Sequence, residues 1–304
     1  MVFWEPSALS FRSGFSLGVD EGKVIAQVGP RPHPDLSESL IMEWSLGSGW
    51  SAYKIILTAI RMWVLNEPRN QLVVMGAGGY LAVVSDGKTT EEMVDESDAG
   101  PRYQGNIRDM RLIGSHLYAA GMSRQVYRRE GPMRWVHCDQ GVAQPLGTVE
   151  VAGFSAIDGL TESYIYASGF NGEIWHYDGR DWHQVESPTN LILHRIRVIE
   201  PDLIFASGQE GVLLQGSRTG WRPIEHDVTN ENLWGMEWFN GKLYLAGEQA
   251  IYGLDGDQLE LVDTGLGDSF TYRHLHANNG AMWSFGPKHI AKTDGRTWMD
   301  VTPK

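Results

Sequence analysis

One cysteine, Cys138, stands in a chain of 304 residues. A lone thiol excludes an internal disulfide framework and fits a reducing compartment. No run of about 18 consecutive apolar residues occurs, so no segment reads as a membrane span. The opening Met1-Val-Phe-Trp-Glu-Pro6 lacks a basic stretch, and Pro6 and Arg12 interrupt any apolar run, so no secretory leader is expected. Positive charge is also scarce. The 25 Lys and Arg residues face 38 Asp and Glu, a net charge of −13, where a binder of phosphate backbones needs a basic face. The ten histidines form no His-Glu-x-x-His, and there is no Cys-x-x-Cys, so neither a metal site nor a cofactor is expected. Helix signals are nearly missing, because no capping box precedes a run of helical period. These absences predict a cytoplasmic protein that binds neither nucleic acid nor membrane.

What the chain has is a repeat. A short apolar phrase ending in Gly returns at Gly29, Gly76, Gly121, Gly169, Gly208, Gly247 and Gly286, with steps of 47, 45, 48, 39, 39 and 39 residues. A period of roughly 40–50 residues built from short strands belongs to propeller blades. The sequence therefore predicts an all-β, seven-bladed β-propeller with four antiparallel strands per blade and less than about one-tenth helix. It is expected to be a single domain over 1–304, with blades near 13–55, 56–105, 106–152, 153–190, 191–230, 231–270 and 271–304.

The fourth copy is the clearest. Phe154 to Asp158, Tyr164 to Ser168, Glu173 to Tyr177 and Trp182 to Val185 read as four strands joined by turns, the last at Asp178-Gly179. Similar turns recur at Asp86-Gly87, Glu130-Gly131, Asp255-Gly256 and Asp294-Gly295. A Trp opens the fourth strand at Trp135, Trp182, Trp221 and Trp298, and is expected to be buried between neighbouring blades. Two irregular segments break the regularity, Pro30–Pro34 in the first copy and the long exit loop from Cys138 to Gly153 in the third. Such loops are where binding tends to sit. Phe3 and Trp4 are expected to pack across the junction of the first and last blades. The acidic stretch Glu91, Glu92, Asp95, Glu96 and Asp98 contains no Lys or Arg and reads as a solvated loop.

An apolar strand ending in Gly, a Gly-containing turn, then Asp-Gly and Trp resembles the repeats of bacterial neuraminidase-type and photosystem II assembly-factor-type propellers, over residues 13–302. The resemblance is specific for architecture and weak for function. Asp178 to Trp182 and Asp294 to Trp298 are four residues apart, one fewer than in a sialidase Asp-box. WD-type repeats fit less well, since neither a Trp-Asp ending nor a Gly-His opening is present.

In a propeller the first strand of each blade lines the central channel. Residues near its start are Arg61, Arg108, Arg195, Trp234 and Arg273, with His194 and His274 beside two of them. Like charges brought together want anions. Two readings follow: acids such as Asp109, Asp158 and Glu237 pair with these arginines between blades, or the arginines and Trp234 form a binding face for an outside acidic group. The sialidase resemblance implies a third, with Arg61, Arg195 and Arg273 gripping a sugar carboxylate and Tyr272 as nucleophile. Strand alternation turns Tyr272 away from Arg273, and the Arg-Ile-Pro opening of those enzymes is missing. Gly14-Phe-Ser-Leu-Gly18 matches a nucleophile elbow in letters, but a turn follows it where the elbow needs a helix. Gly76-Ala-Gly-Gly79 likewise precedes a strand and holds no phosphate. The sequence thus reads as a non-enzymatic protein-binding propeller that neutralises or chaperones a basic partner, by analogy with immunity proteins that block a toxin. A sialidase-like hydrolase or glycan-binding propeller is the alternative.

Overall fold

The computed structural model describes residues 5, 8–28, 38–66 and 70–304. Among these, seven separate sheets each contain four strands consecutive in the chain and hydrogen-bonded in chain order. Each sheet is a meander, so the fold is a seven-bladed β-propeller. Blades one to seven occupy 9–55, 59–93, 107–137, 154–185, 193–223, 235–261 and 274–300. Among the described residues, helix is confined to Pro101–Gln104 and to short 3-10 turns such as Phe170–Gly172 and Gln209–Gly211. No described helix is long and apolar enough to cross a membrane. Gly29, the segment Pro30–Pro34, Phe3 and Trp4 lie outside the described residues.

The chain gathers into two compact units, residues 63–232 and residues 1–62 with 233–304. In the first, apolar faces of successive blades share cores. Val73, Met75 and Leu81 of blade two pack with Met110, Leu117 and Tyr127 of blade three. Ile113, Tyr118 and Val126 of blade three pack with Phe154, Ile157 and Ile165 of blade four. Ile174 and Tyr166 of blade four meet Ile196 and Ile204 of blade five. In the second unit, Leu9, Phe11 and Met42 of blade one share a core with Trp283, Phe285 and Ile290 of blade seven, and Phe239 and Ile251 of blade six pack with Met282 and Ala291. Blade seven closes with its own fourth strand, Trp298–Asp300.

The repeated glycines have a steric cause. At Gly121, Gly169, Gly208 and Gly286 the second strand ends where the chain entering the same blade passes close by. A Cβ on Gly169 would lie 1.9 Å from the Gly153 carbonyl oxygen, and one on Gly208 would lie 2.0 Å from that of Ile192. Their backbones are extended, at φ −174° and −165°, so it is the missing side chain that matters there and not conformational freedom.

The tryptophan slot works as an inter-blade tie. The Trp182 indole is 9 % exposed, stacks on Phe154, and donates from Nε1 to the Cys138 carbonyl of blade three at 2.7 Å. Trp50, in the fourth strand of blade one, repeats this contact by donating to the Val301 carbonyl at 2.7 Å. Trp135 donates instead to the Glu92 carboxylate at 3.2 Å. Trp135, Trp221 and Trp298 depart from the expectation: each is only partly buried, packed against a core shared by two blades. The turns before these strands differ in detail. Blades four and seven use a four-residue loop in which Asp178 or Asp294 accepts backbone N–H groups at 2.8–2.9 Å. In blade three the turn is Pro132-Met133, and in blade six it is Gly256-Asp257, each one residue or more beyond the expected pair.

The acidic stretch is only partly solvated. Strand alternation turns Glu92 inward, where Arg129 grips it, while Glu91, Glu96 and Asp98 face solvent. Asp95, at the exit of blade two, accepts from His137 Nε2 at 2.8 Å, and Asp139 lies 3.1 Å from His137 Nδ1. Burial alone would lower the His137 pKa; the two carboxylates outweigh it and raise it above its ordinary value. A raised histidine pKa stabilises the fold fully below the unfolded-state value, and the gain is lost as pH rises through the folded-state value. The stability advantage of the native chain over His137→Gln is therefore expected to shrink as pH rises above about 6.5, the ordinary histidine value, measured by chemical denaturation. A difference constant with pH would remove the clamp from the account.

Candidate functional site

The unit of residues 1–62 and 233–304 brings Arg61, Trp234 and Arg273 together. Trp234 directly precedes the strand Gly235–Phe239, Arg273 precedes His274–Asn278, and Arg61 is the third residue of Ala59–Leu65. The Arg273 guanidinium lies over the Trp234 ring, 4.4 Å from its centroid. Burial lowers the Arg273 pKa; Glu248 opposes the shift, while the positive charges of Arg12 and Arg61 add to it. Arg61 donates from Nη1 to the Ile60 carbonyl at 2.9 Å. Three guanidinium groups thus share one field beside an indole face. Arg12 is the member that sequence reading missed. It sits at a bulge in the strand Leu9–Ser16, whose start lies ahead of residue 13, where the repeat pattern begins.

In residues 63–232, Arg108 and Arg195 do not occupy equivalent slots. The pairing of Ile107 with Gly121 and of Asp109 with Ala120 leaves Arg108 as the extra residue of a bulge. The same bulge falls on Ser155 in blade four and His194 in blade five, so Arg195 lies one step further along its strand. Arg108 is exposed, with its guanidinium 5.2 Å from the Phe170 ring centroid. Arg195 donates from Nη1 to the His194 carbonyl at 3.0 Å.

Carboxylates tie blades together here through further arginines. Buried Asp158 accepts from Arg111 of blade three at 2.9 Å and from Arg197 of blade five at 3.2 Å, and also from the Val198 backbone N–H at 2.9 Å. Asp109 accepts from the Ile157 N–H at 3.2 Å. Arg111 and Arg197 are therefore structural clamps. Buried Glu237 accepts the backbone N–H of Trp238 at 3.0 Å.

The nucleophile candidates that the sequence offered are committed to packing. Tyr272 is buried beside Phe270, its hydroxyl pairs with Thr264 at 2.7 Å, and burial raises its pKa, all opposite to what a nucleophile requires. Ser16, in the elbow-like sequence, is fully buried with its hydroxyl 3.4 Å from the Ala281 carbonyl. Burial pushes the Cys138 thiol up to about 11, which keeps it protonated and unreactive. His276 accepts the Ser16 N–H at 3.1 Å and packs on Phe15, while His274 lies against Phe285.

No protein-family model matches the chain. Among solved structures it is similar to the WD40 β-propeller domain of Doa1, with a TM-score of 0.70 at 9 % identity over 93 % of this chain and 91 % of that one. It is also similar to YCF48 bound to a D1 peptide, with a TM-score of 0.65 at 13 % identity over 93 % and 90 %. At these identities the likeness is one of fold alone. In sequence the chain is 37 % identical over 271 residues to the immune protein Tsi7 of Pseudomonas aeruginosa, covering 88 % of this chain and 89 % of the relative. An alignment that covers nearly nine-tenths of both chains is kinship of the whole molecule, and the chain belongs to the family of the immune protein Tsi7.

Proposed function

We propose that this chain is an immunity protein: a non-enzymatic propeller that binds a protein toxin in the cytoplasm and neutralises it. The observation that carries the reading is the 37 % identity to an immune protein along almost the full length of both chains. The propeller fold suits it, because blade-edge loops on a rigid scaffold present a broad binding surface. The net charge of −13 fits a basic toxin domain drawn in by long-range attraction.

The test is co-expression. When a bacterial host produces a toxin domain drawn from the genes neighbouring this one, the chain is expected to restore growth. Unchanged toxicity at matched expression would overturn the reading.

Two groups of side chains are proposed to contact the partner: Arg61, Trp234 and Arg273 in one unit, and Arg108 and Arg195 in the other. Arg and Trp dominate interface hot spots, so Arg195→Ala or Trp234→Ala is expected to weaken toxin binding by at least about 2 kcal/mol with the fold intact. Calorimetric titration at two salt concentrations checks this. Normal binding by both variants would leave these residues with packing roles only.

A further inference from the structure

Between blades three and four the chain runs irregularly from Cys138 to Gly153, and this segment holds apolar side chains out in solvent. Leu146, Val149 and Val151 are 57, 95 and 60 % exposed. The base of the segment is fixed. Gln144 N–H donates to the Ser123 carbonyl at 2.8 Å, Ser123 N–H donates to that of Ala152 at 2.9 Å, and Met122 bridges Gly153. Asn171 Nδ2 donates to the Val151 carbonyl at 3.2 Å. An anchored loop with exposed valines and a leucine at its tip is what a partner surface covers.

Beside the tip opens a cleft of about 480 Å³ whose lining includes Arg124, Glu150, Asn171, Glu173 and Glu186. Arg124 is already committed: its Nε donates to Glu173 at 2.6 Å, and its guanidinium lies over the Trp175 ring. Glu150 and Glu186 make no hydrogen bond or ion pair among the described residues. The cleft therefore holds three carboxylates against one guanidinium, next to an apolar rim.

We infer that this is a docking surface for a protein partner, which inserts an Arg or Lys side chain between Glu150 and Glu186 while its apolar neighbours cover Leu146, Val149 and Val151. The inference rests on the binding role proposed above and adds the chemistry of the contact. A cation is chosen by the unneutralised carboxylates, and a polypeptide source is chosen by the apolar rim that flanks them.

The peptide Ac-Leu-Arg-Leu-NH2 is the direct probe, titrated against the whole chain by calorimetry or by NMR of the Trp175 indole, with Ac-Leu-Glu-Leu-NH2 as control. The Arg peptide is expected to bind and the Glu peptide not to. Glu150→Gln with Glu186→Gln is expected to weaken the Arg peptide at least about tenfold, and Val149→Ser to weaken it too. Both carboxylates are exposed, so circular dichroism of the variants should match the native chain. Equal binding of the two peptides, no binding of either, or an unchanged double variant would overturn the proposal. The peptide needs no toxin. Peptide binding without rescue of growth sinks the immunity reading alone, and rescue without peptide binding sinks the docking surface alone.

Discussion

Trp182→Ala is expected to lower the stability of the chain by about 3–5 kcal/mol, among the largest effects available to one substitution. Its indole fills the core shared by blades three and four, against Phe154 and Tyr177, and the surrounding strands are held by their own ladders and cannot collapse into the space left. The same change also leaves the Cys138 carbonyl without the indole N–H that it accepts. Trp182→Phe separates the two terms: most of the packing stays, and about 1–2 kcal/mol of hydrogen bonding goes. Urea denaturation of the native chain and both variants measures the series. Trp298→Ala should cost less than Trp182→Ala, because Trp298 is only partly buried. An effect of Trp182→Ala within measurement error would mean that the fourth strand does not hold adjacent blades together.

Glu92→Ala is expected to cost a similar amount, about 3–5 kcal/mol, for an electrostatic reason. Glu92 is 4 % exposed and Arg129 8 %. Nε and Nη2 of Arg129 donate to the two carboxylate oxygens at 2.9 and 2.6 Å, and Trp135 adds a third donor. Burial alone would raise the Glu92 pKa; these donors reverse that and hold it below its ordinary value. Its contribution is therefore present above the unfolded-state pKa and is lost as pH falls through the lower folded-state value. Removing the carboxylate strands a guanidinium in a largely buried place. Replacing both partners, as Glu92→Leu with Arg129→Met, removes that penalty and should recover most of the loss. If the double replacement is as unstable as Glu92→Ala, shape and not the buried charge governs this junction.

The fold was legible because its causes are local. Gly169 and Gly208 mark the places where a side chain would strike the passing chain, so the period written in glycine is the period of the blades. The strands of blade four fell where alternation and the Asp178-Gly179 turn indicated. The site was less legible. Spacing along the chain placed Arg108 level with Arg195, but a bulge shifts the register by one residue, and no composition signal marks it. Glu92 looked solvated because its cation, Arg129, is contributed by the next blade, 37 residues on. Arg12 was missed because the first strand begins before the repeat does. In each case the deciding partner comes from another strand, which a linear reading cannot align.

The central claim is neutralisation by binding, and stoichiometry tests it most directly. Purified toxin domain at a fixed concentration well above its dissociation constant is titrated with the chain while the toxin's activity is followed. A binder removes toxin molecule for molecule, so activity should fall linearly and end at about one equivalent, with a stable complex in size-exclusion chromatography. Complete loss of activity at a small fraction of an equivalent would mean that the chain acts catalytically. Full toxin activity at any excess would mean that it does not neutralise the toxin at all.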